Sequence, residues 1–380
     1  MIDKNLFTIG GLYKYLSAES FGVVLNNVNN KYNDAIWRRY ADWGRPSNER
    51  EWKQGVKKTP ILVRASVLGT HSEKPQRSTQ GWEIYGGTLP KIGHGFSIDE
   101  DEMIELRRIA KLNDLTFGES LIDAFINNSG NMLGGVHNEL SYMTLQALST
   151  GGIHDISIDG FRYDFDFQIP DENFTAPTAG NKWFQTGGTA APNTSADPIE
   201  DILNFQTYFS ETLSLGVDHW KISKTLLDKV LAHPSVTDAY KGSKNFYNPS
   251  NVKIAKSDVL AWMHEEMGIW MFDVIDFKTR HEEDGKPVND NPAFDVHNMV
   301  ACNSEYKPFE MKCMRSILAD RAALGAHNDS VRTTLVEDRI AVQDVWHDRP
   351  MKNIVDCELY AGPVFNNPTE FGIVTTYTDS

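Results

Sequence analysis

The sequence predicts an α+β fold built from more than one subdomain, and three observations carry that expectation. Strand-like alternation and helical spacing take turns along the chain, with a long hairpin pattern, a long helical run, a mixed stretch and a strand-rich end in that order. At 380 residues the chain exceeds what one simple core serves. Apolar residues make up 40%, with 9 Trp and 19 Phe, which is ample for burial and excludes a disordered chain.

Charge and cysteine usage narrow the classes of function. Lys and Arg total 37 against 52 Asp and Glu, and the net charge of −15 argues against a protein whose main task is gripping phosphate backbones. Cys302, Cys313 and Cys357 are odd in number and none lies in a C-x-x-C pair, so neither a disulfide framework nor a zinc knuckle is signalled. The opening MIDKNLFTIGGLYKYL lacks the long apolar core of a leader, and no window is apolar enough to span a bilayer. A reducing cytoplasm is the expected place of synthesis.

Residues 1–55 read as an amphipathic arm. Leu12, Tyr15 and Leu16 recur at helical spacing, and a second run carries Ile36, Trp37 and Tyr40 before Gly44, Pro46 and Ser47 break it. Aromatics on an arm without its own core suggest packing on another chain; docking on its own domain is the alternative. Residues 59–98 form a β-hairpin pattern in which ILVRASVLGT runs out and WEIYGGTLPKIGHGFSI returns. Its polar tip holds Glu73, Lys74, Arg77 and Ser78. A lone two-stranded hairpin is marginal in water, so this one must lean on a neighbour.

A helix is expected from Ser97, which offers a cap with Glu100 three residues on and an acidic first turn. The helical spacing is interrupted near Asn127–Asn131. It resumes through Val136, Leu140, Met143 and Ala147, and Gly151 and Gly152 stop it. Residues 170–198 read as loop. From Asp197, ADPIEDILNFQTYFSETL and KISKTLLDKVLAHP look helical, residues 258–276 mix both signals, HEEDGKPVNDN reads as loop and NMVACNSE as strand.

The most chemical-looking stretch is DGFRYDFDFQIPDEN, with Asp164 and Asp166 two apart. Apolar residues sit on even positions before Asp159-Gly160 and on odd ones after it, as a two-residue D-G hairpin turn requires. That register sets Ile158 opposite Phe161 and Asp155 opposite Asp164, with Asp166 further along the same face. Three carboxylates there could hold a hydrated divalent cation by oxygen ligation; a solvated sheet face, with Arg162 offsetting the charge, is the other reading.

Other catalytic signatures fail on spacing. His264-Glu265-Glu266 and His281-Glu282-Glu283 open like H-E-x-x-H but reach Gly268 and Gly285 where the second histidine belongs. A nucleophile elbow and a phosphate-binding loop are absent, Gly93-His94-Gly95 is a bare G-x-G joint, and Cys302 and Cys313 read as buried. No catalytic residue and no cofactor is therefore expected.

The order of parts resembles the major capsid proteins of tailed phages, the lambda-type capsid protein E family with the Hong Kong 97 type fold. THSEKPQRSTQGWEIYGGTLPKIGHGFSIDEDE is similar to that family's extended loop running into its spine helix. ELSYMTLQALSTGGI followed by IDGFRYDFDFQI resembles the spine end and adjoining hairpin. Trp183 followed by ADPIEDI, and the closing VDCELYAGPVFNNPTEFGIVTTY, resemble the entry to the axial domain and the final strands.

The resemblance implies an N-terminal arm at 1–55, an extended loop at 56–98, a peripheral domain of 99–198 plus 331–380, and an axial domain at 199–330. It implies a structural protein assembling as hexamers and pentamers into an icosahedral head, made in the host cytoplasm and resident in the virion. Scaffold, portal and decoration proteins would be its partners, with packaged double-stranded DNA on the inner face and no membrane. Subunit contacts are expected at Glu73, Lys74, Arg77, Trp82, Trp37 and Tyr40, the charged ones as rim pairs each worth ~0–1 kcal/mol but repeated many times. Two rival readings remain: a metal-dependent hydrolase using Asp155, Asp164 and Asp166, and a tail or head-completion component.

Overall fold

The computed structural model describes residues 18–57, 82–112, 117–156, 162–178, 182–184, 191–244, 254–283, 286–289, 292–324 and 331–377. The chain divides into two compact units. The first comprises Met1–Trp52, Gly86–Thr144 and Phe309–Val364, and the second Lys53–Tyr85, Leu145–Pro308 and Phe365–Ser380.

The first unit is a mixed sheet with helices against it. The strand order is Ala41–Trp43, Phe309–Met314, Met351–Phe365, Ile340–Asp348 and Val331–Val336, and Lys91–Asp99 also pairs with Met351–Phe365. The strand-rich end read from the sequence supplies the middle of this sheet. Its last strand alternates buried and partly buried residues until Tyr360 and is then buried through Phe365.

The arm folds as part of this unit. Helix Ala18–Asn29 buries Phe21 and Leu25 completely, and the short helix Trp37–Tyr40 leads directly into strand Ala41–Trp43. Of the two sequence readings, docking on its own domain describes these residues. Leu12, Tyr15 and Leu16 lie outside the described residues.

Two boundary expectations shift for identifiable reasons. The helix expected from Ser97 begins at Glu100, because Ser97 is held in the sheet opposite Ile354. The cap is Asp99, whose Oδ1 accepts from the Glu102 backbone N–H at 3.0 Å while Glu102 Oε2 accepts from the Asp99 N–H at 3.4 Å. The interruption expected near Asn127–Asn131 is absent, and one helix runs from Phe117 to Thr150, 34 residues long. Its glycines serve tertiary packing. Tyr32 Oη donates to the Gly130 carbonyl at 2.6 Å, and a Cβ on Gly134 would lie 2.6 Å from that same hydroxyl. Contact with the arm thus outweighs the weak local propensity of N-N-S-G.

The second unit has its own sheet, in the order Phe174–Thr175, Gly372–Thr375, Asn298–Cys302, His219–Ser223 and Met271–Ile275. The strand His219–Ser223 is missing from the helical reading of KISKTLLDKVLAHP; the helix starts only at Lys224, capped by Ser223 Oγ accepting from the Leu226 N–H at 3.1 Å. Asp197 caps helix Pro198–Thr207 in the same way, with Pro198 in the first turn where its missing N–H costs nothing. The ambiguous stretch 258–276 resolves into the rest of helix Lys256–Glu265 and strand Met271–Ile275.

HEEDGKPVNDN overlaps two short antiparallel strands, Arg280–Glu283 and Lys286–Asn289, where the sequence suggested loop. The core of this unit gathers Trp183, Phe209, Trp220, Leu226, Val230, Met263 and Met299, all essentially inaccessible. Gly372 is required within it, since a Cβ there would fall 2.4 Å from the Phe209 ring. Among the described residues no helix is long and apolar enough to cross a membrane.

Candidate functional site

The hairpin chosen from the sequence forms, with a different register. Strand Gly152–Ile156 pairs antiparallel with Arg162–Asp166, and the partners are Gly152 with Asp166, Ile153 with Phe165, His154 with Asp164, Asp155 with Tyr163 and Ile156 with Arg162. The expected pairing of Asp155 with Asp164 is therefore off by one residue, and residues 157–161 lie outside the described residues. Ile153 supplies the reason. It is 1% exposed and sits opposite Phe165, whose ring packs edge-on to buried Phe167 at 4.8 Å, and Phe167 in turn meets Phe365 at 4.9 Å. A buried face dictates register, and a slip of one would turn Ile153 outward.

That register removes the three-carboxylate face. Residues opposite one another share a face, so Asp155 falls in line with Tyr163, one step away from Asp164 and Asp166. Asp164 Oδ1 instead lies 2.5 Å from His154 Nδ1. Asp166 Oδ1 accepts from the backbone N–H of Gln168 at 2.8 Å, where the chain turns with φ of 54°. Gln146 clamps the first strand: its Oε1 accepts from the His154 N–H at 2.8 Å and its Nε2 donates to the His154 carbonyl at 3.1 Å. Among the described residues no group of three or more His, Cys, Asp or Glu is placed to hold a metal ion.

The cysteines are buried and chemically quiet. Burial pushes the Cys302 thiol up to about 11 and the Cys357 thiol up to about 12, and raises that of Cys313 as well. Burial thus disfavours the reactive thiolate at all three.

The arm residues chosen as subunit contacts are placed inside the chain. Trp37 is 0% exposed and Tyr40 4%, so neither presents a surface to another subunit in this conformation. Their aromatic bulk is used by their own unit, which is the physical reason the expectation fails for these two. Glu73, Lys74 and Arg77 lie outside the described residues. Trp82 opens strand Trp82–Thr88, which pairs with Glu51–Lys57 as a two-stranded ribbon.

A polar knot around Trp37 has no signature in the sequence. Trp37 Nε1 donates to His137 Nδ1 at 3.2 Å, which leaves His137 Nε2–H to donate to Asn29 Oδ1 at 2.9 Å. The ring is therefore fixed as one neutral tautomer. Glu337 receives three donors: Asn29 Nδ2 and Arg38 Nη2 (2.6 Å) at Oε1, and Trp43 Nε1 (2.7 Å) at Oε2. Burial, assisted by the nearby Arg38 cation and opposed by Glu337, lowers the His137 pKa to about 4. Glu337 and Asp338 hold the turn between two strands with φ of 52° and 56°. The residues involved are separated by about 100 to 300 positions, a range at which spacing carries no signal.

Comparison with known proteins gives this geometry its context. The family model described as phage major capsid protein E matches residues 57–283, more than half of the chain. Among solved structures, the chain is similar to the capsid protein assigned to a prophage of E. coli CFT073. That match has 12% identity, covers 95% of this chain and 99% of that one, and has a TM-score of 0.54. A phage-related protein from Bordetella bronchiseptica RB50 matches at 9% identity over 93% and 96% of the two chains, with a TM-score of 0.49. The capsid of Myoviridae phage XM1 matches at 12% identity over 90% and 91%, with a TM-score of 0.43. No curated protein matches the sequence.

Proposed function

The chain belongs to the phage major capsid protein E family, and from that premise we propose how its copies build a particle. It is a structural, shell-forming protein of the virion with the Hong Kong 97 type fold, and it assembles with copies of itself. In the proposed particle the copies form hexamers and pentamers that close an icosahedral head around the phage genome. Assembly proceeds in the host cytoplasm with scaffold, portal and decoration proteins.

In this reading residues 1–55 are the arm and 56–98 the extended loop, 99–198 with 331–380 make the peripheral domain, and 199–330 make the axial domain. The two compact units divide the chain at other positions, because Phe309–Met314 joins the sheet of the first unit. The extended loop crosses a neighbouring subunit, with Glu73, Lys74, Arg77 and Trp82 as its contacts. Its stem supports this: among the described residues Glu51–Lys57 and Trp82–Thr88 pair only with each other, and Ile84 on that stem is 78% exposed. A ribbon of that kind is marginal alone and gains stability from a surface beneath it. The net charge of −15 favours a wall that encloses DNA without adhering to it.

Family membership carries the proposal, and electron microscopy tests it. The expressed chain, alone or with its phage's assembly factors, should give closed shells in negative stain. Monodisperse 42.9 kDa monomers under every such condition would overturn it, and rings or tubes would favour a tail or head-completion role. The hydrolase reading has lost its geometric basis in the register that sets Asp155 apart from Asp164.

A further inference from the structure

The short helix Ile317–Ala323 of the first unit carries a surface whose purpose its own fold does not explain. It packs on strands Val331–Val336 and Ile340–Asp348, and Ala319 on its inner side is 1% exposed. Its outer side is different. Ile317 and Leu324 are each 84% exposed, the most open of the large apolar side chains described, and Asp320 and Arg321 between them are also exposed. These four stand at i, i+3, i+4 and i+7, which is a single helix face. Neither charge forms an ion pair among the described residues. Ser316 caps the helix, its Oγ accepting from the Ala319 N–H at 3.1 Å, which satisfies one donor of its first turn.

The order along that face is apolar, acidic, basic, apolar. Reversed, it reads apolar, basic, acidic, apolar, which is its own complement. An isologous contact about a two-fold axis imposes that condition, since residue i on one copy must suit residue j on the other and the reverse. We propose that this helix is a two-fold contact between copies of this chain, with two such helices antiparallel across the axis. Ile317 meets the partner subunit's Leu324, and Asp320 pairs with the partner's Arg321. The inference rests on the shell-forming reading, which makes a second copy the expected occupant. The charge complementarity selects this face and fixes the antiparallel orientation. Each contact is small, and its weight comes from repetition around a closed shell.

Charge reversal and charge exchange decide the matter. Asp320→Arg places arginines opposite one another on both sides of the axis, and the yield of sedimentable particles should fall by about tenfold or more, since like charges facing across an interface are costly. The double variant Asp320→Arg with Arg321→Asp recreates the complement in reverse and should return the yield to within about twofold of the parent. Both side chains are exposed, so thermal melting should match the parent.

Particles from Asp320→Arg at parental yield would overturn the contact. So would a double variant that stays folded yet fails as badly as the single one, because a different surface or a segment of the same chain would then cover the helix. Should either variant melt early, Arg321→Cys gives an independent reading. Particles treated with a bismaleimide reagent of about 10 Å reach should yield a covalent dimer on a denaturing gel, the native cysteines being buried, and its absence overturns the proposal. Failure of the parent itself to form particles would count against the shell reading and is distinguished by that control.

Discussion

The two units stabilise their interiors by different means. The second surrounds Trp220 with rings, Phe209 at 6.2 Å and Trp270 at 5.5 Å between centroids. The polar atoms beside these rings are met by one amide: Gln206 Oε1 accepts from Trp220 Nε1 at 3.2 Å and from the Trp270 N–H at 2.9 Å, and Nε2 donates to the Gly268 carbonyl at 3.2 Å. The first unit instead centres a charge, Glu337, on three donors, beside a histidine that must stay neutral. Volume therefore dominates the second interior, whereas protonation bears on both, since burial lowers the pKa of His233 in the second unit as it does that of His137 in the first.

The largest effect should come from removing volume. Trp220→Ala leaves a cavity and strips Gln206 of a donor, so the second unit should lose about 3–5 kcal/mol. Hydrogen exchange, corrected for intrinsic rates, should show lost protection in strand His219–Ser223 at neutral pH, with little change along residues 117–144 of the long helix. Equal losses in both elements would mean that the two interiors are not energetically separate.

Acid should weaken the first unit through His137. The folded His137 pKa of about 4 lies below the ordinary 6.5, so between those values the unfolded chain binds the extra proton. Stability of the first unit then falls as pH drops from about 6.5 toward about 4, by up to about 3 kcal/mol, and stays low below that window. His137→Gln should flatten this dependence. The second unit should also weaken on acidification through buried His233, so a pH dependence of the first unit that survives His137→Gln unchanged would break the assignment.

Glu337→Gln should cost less. A carboxamide presents a donor where the carboxylate met only donors, for a loss of about 1–3 kcal/mol, toward the lower end because the side chain is 21% exposed. Protection near the Val331–Val336 and Ile340–Asp348 turn should fall first, since that turn holds two non-glycine residues at positive φ.

What the sequence made legible follows the range of each signal. The strands of the C-terminal end, the hairpin beside the long helix and the helix at Pro198 are set by alternation, turn residues and caps within a few positions, and those were readable. The continuous helix through Gly130 and Gly134 was not, because the reason for those glycines is Tyr32, about a hundred residues away. The knot of Asn29, Arg38, His137 and Glu337 was invisible for the same reason, since each member alone is an ordinary polar residue in an ordinary place. The capping residue was misplaced by two positions because sheet pairing of Ser97 competed with its capping role and won. Of the contact residues, Trp37 and Tyr40 show the ambiguity of aromatics: spacing marks a buried face without saying whose core receives it.

The smallest effect tests the register itself. His154 and Asp164 are each 49% exposed, so their pairing should be worth about 0–1 kcal/mol, as for other solvated ion pairs. A double-mutant cycle on His154→Ala and Asp164→Asn should return a favourable coupling within that range. The same cycle on Asp155→Asn and Asp164→Asn should return none, because those two residues are not opposite one another. The register read from the D-G turn makes the opposite prediction: Asp155 and Asp164 would repel, and neutralising either would stabilise the hairpin. Calorimetry with Mg²⁺ or Ca²⁺ separates the readings again. A shared carboxylate face would bind and lose binding in Asp164→Asn, whereas the observed register, with Asp164 on His154 and Asp166 on the Gln168 backbone, should give no heat in either protein. The step of one residue that Ile153 imposes thus separates a cation site from a clamp on the end of the long helix.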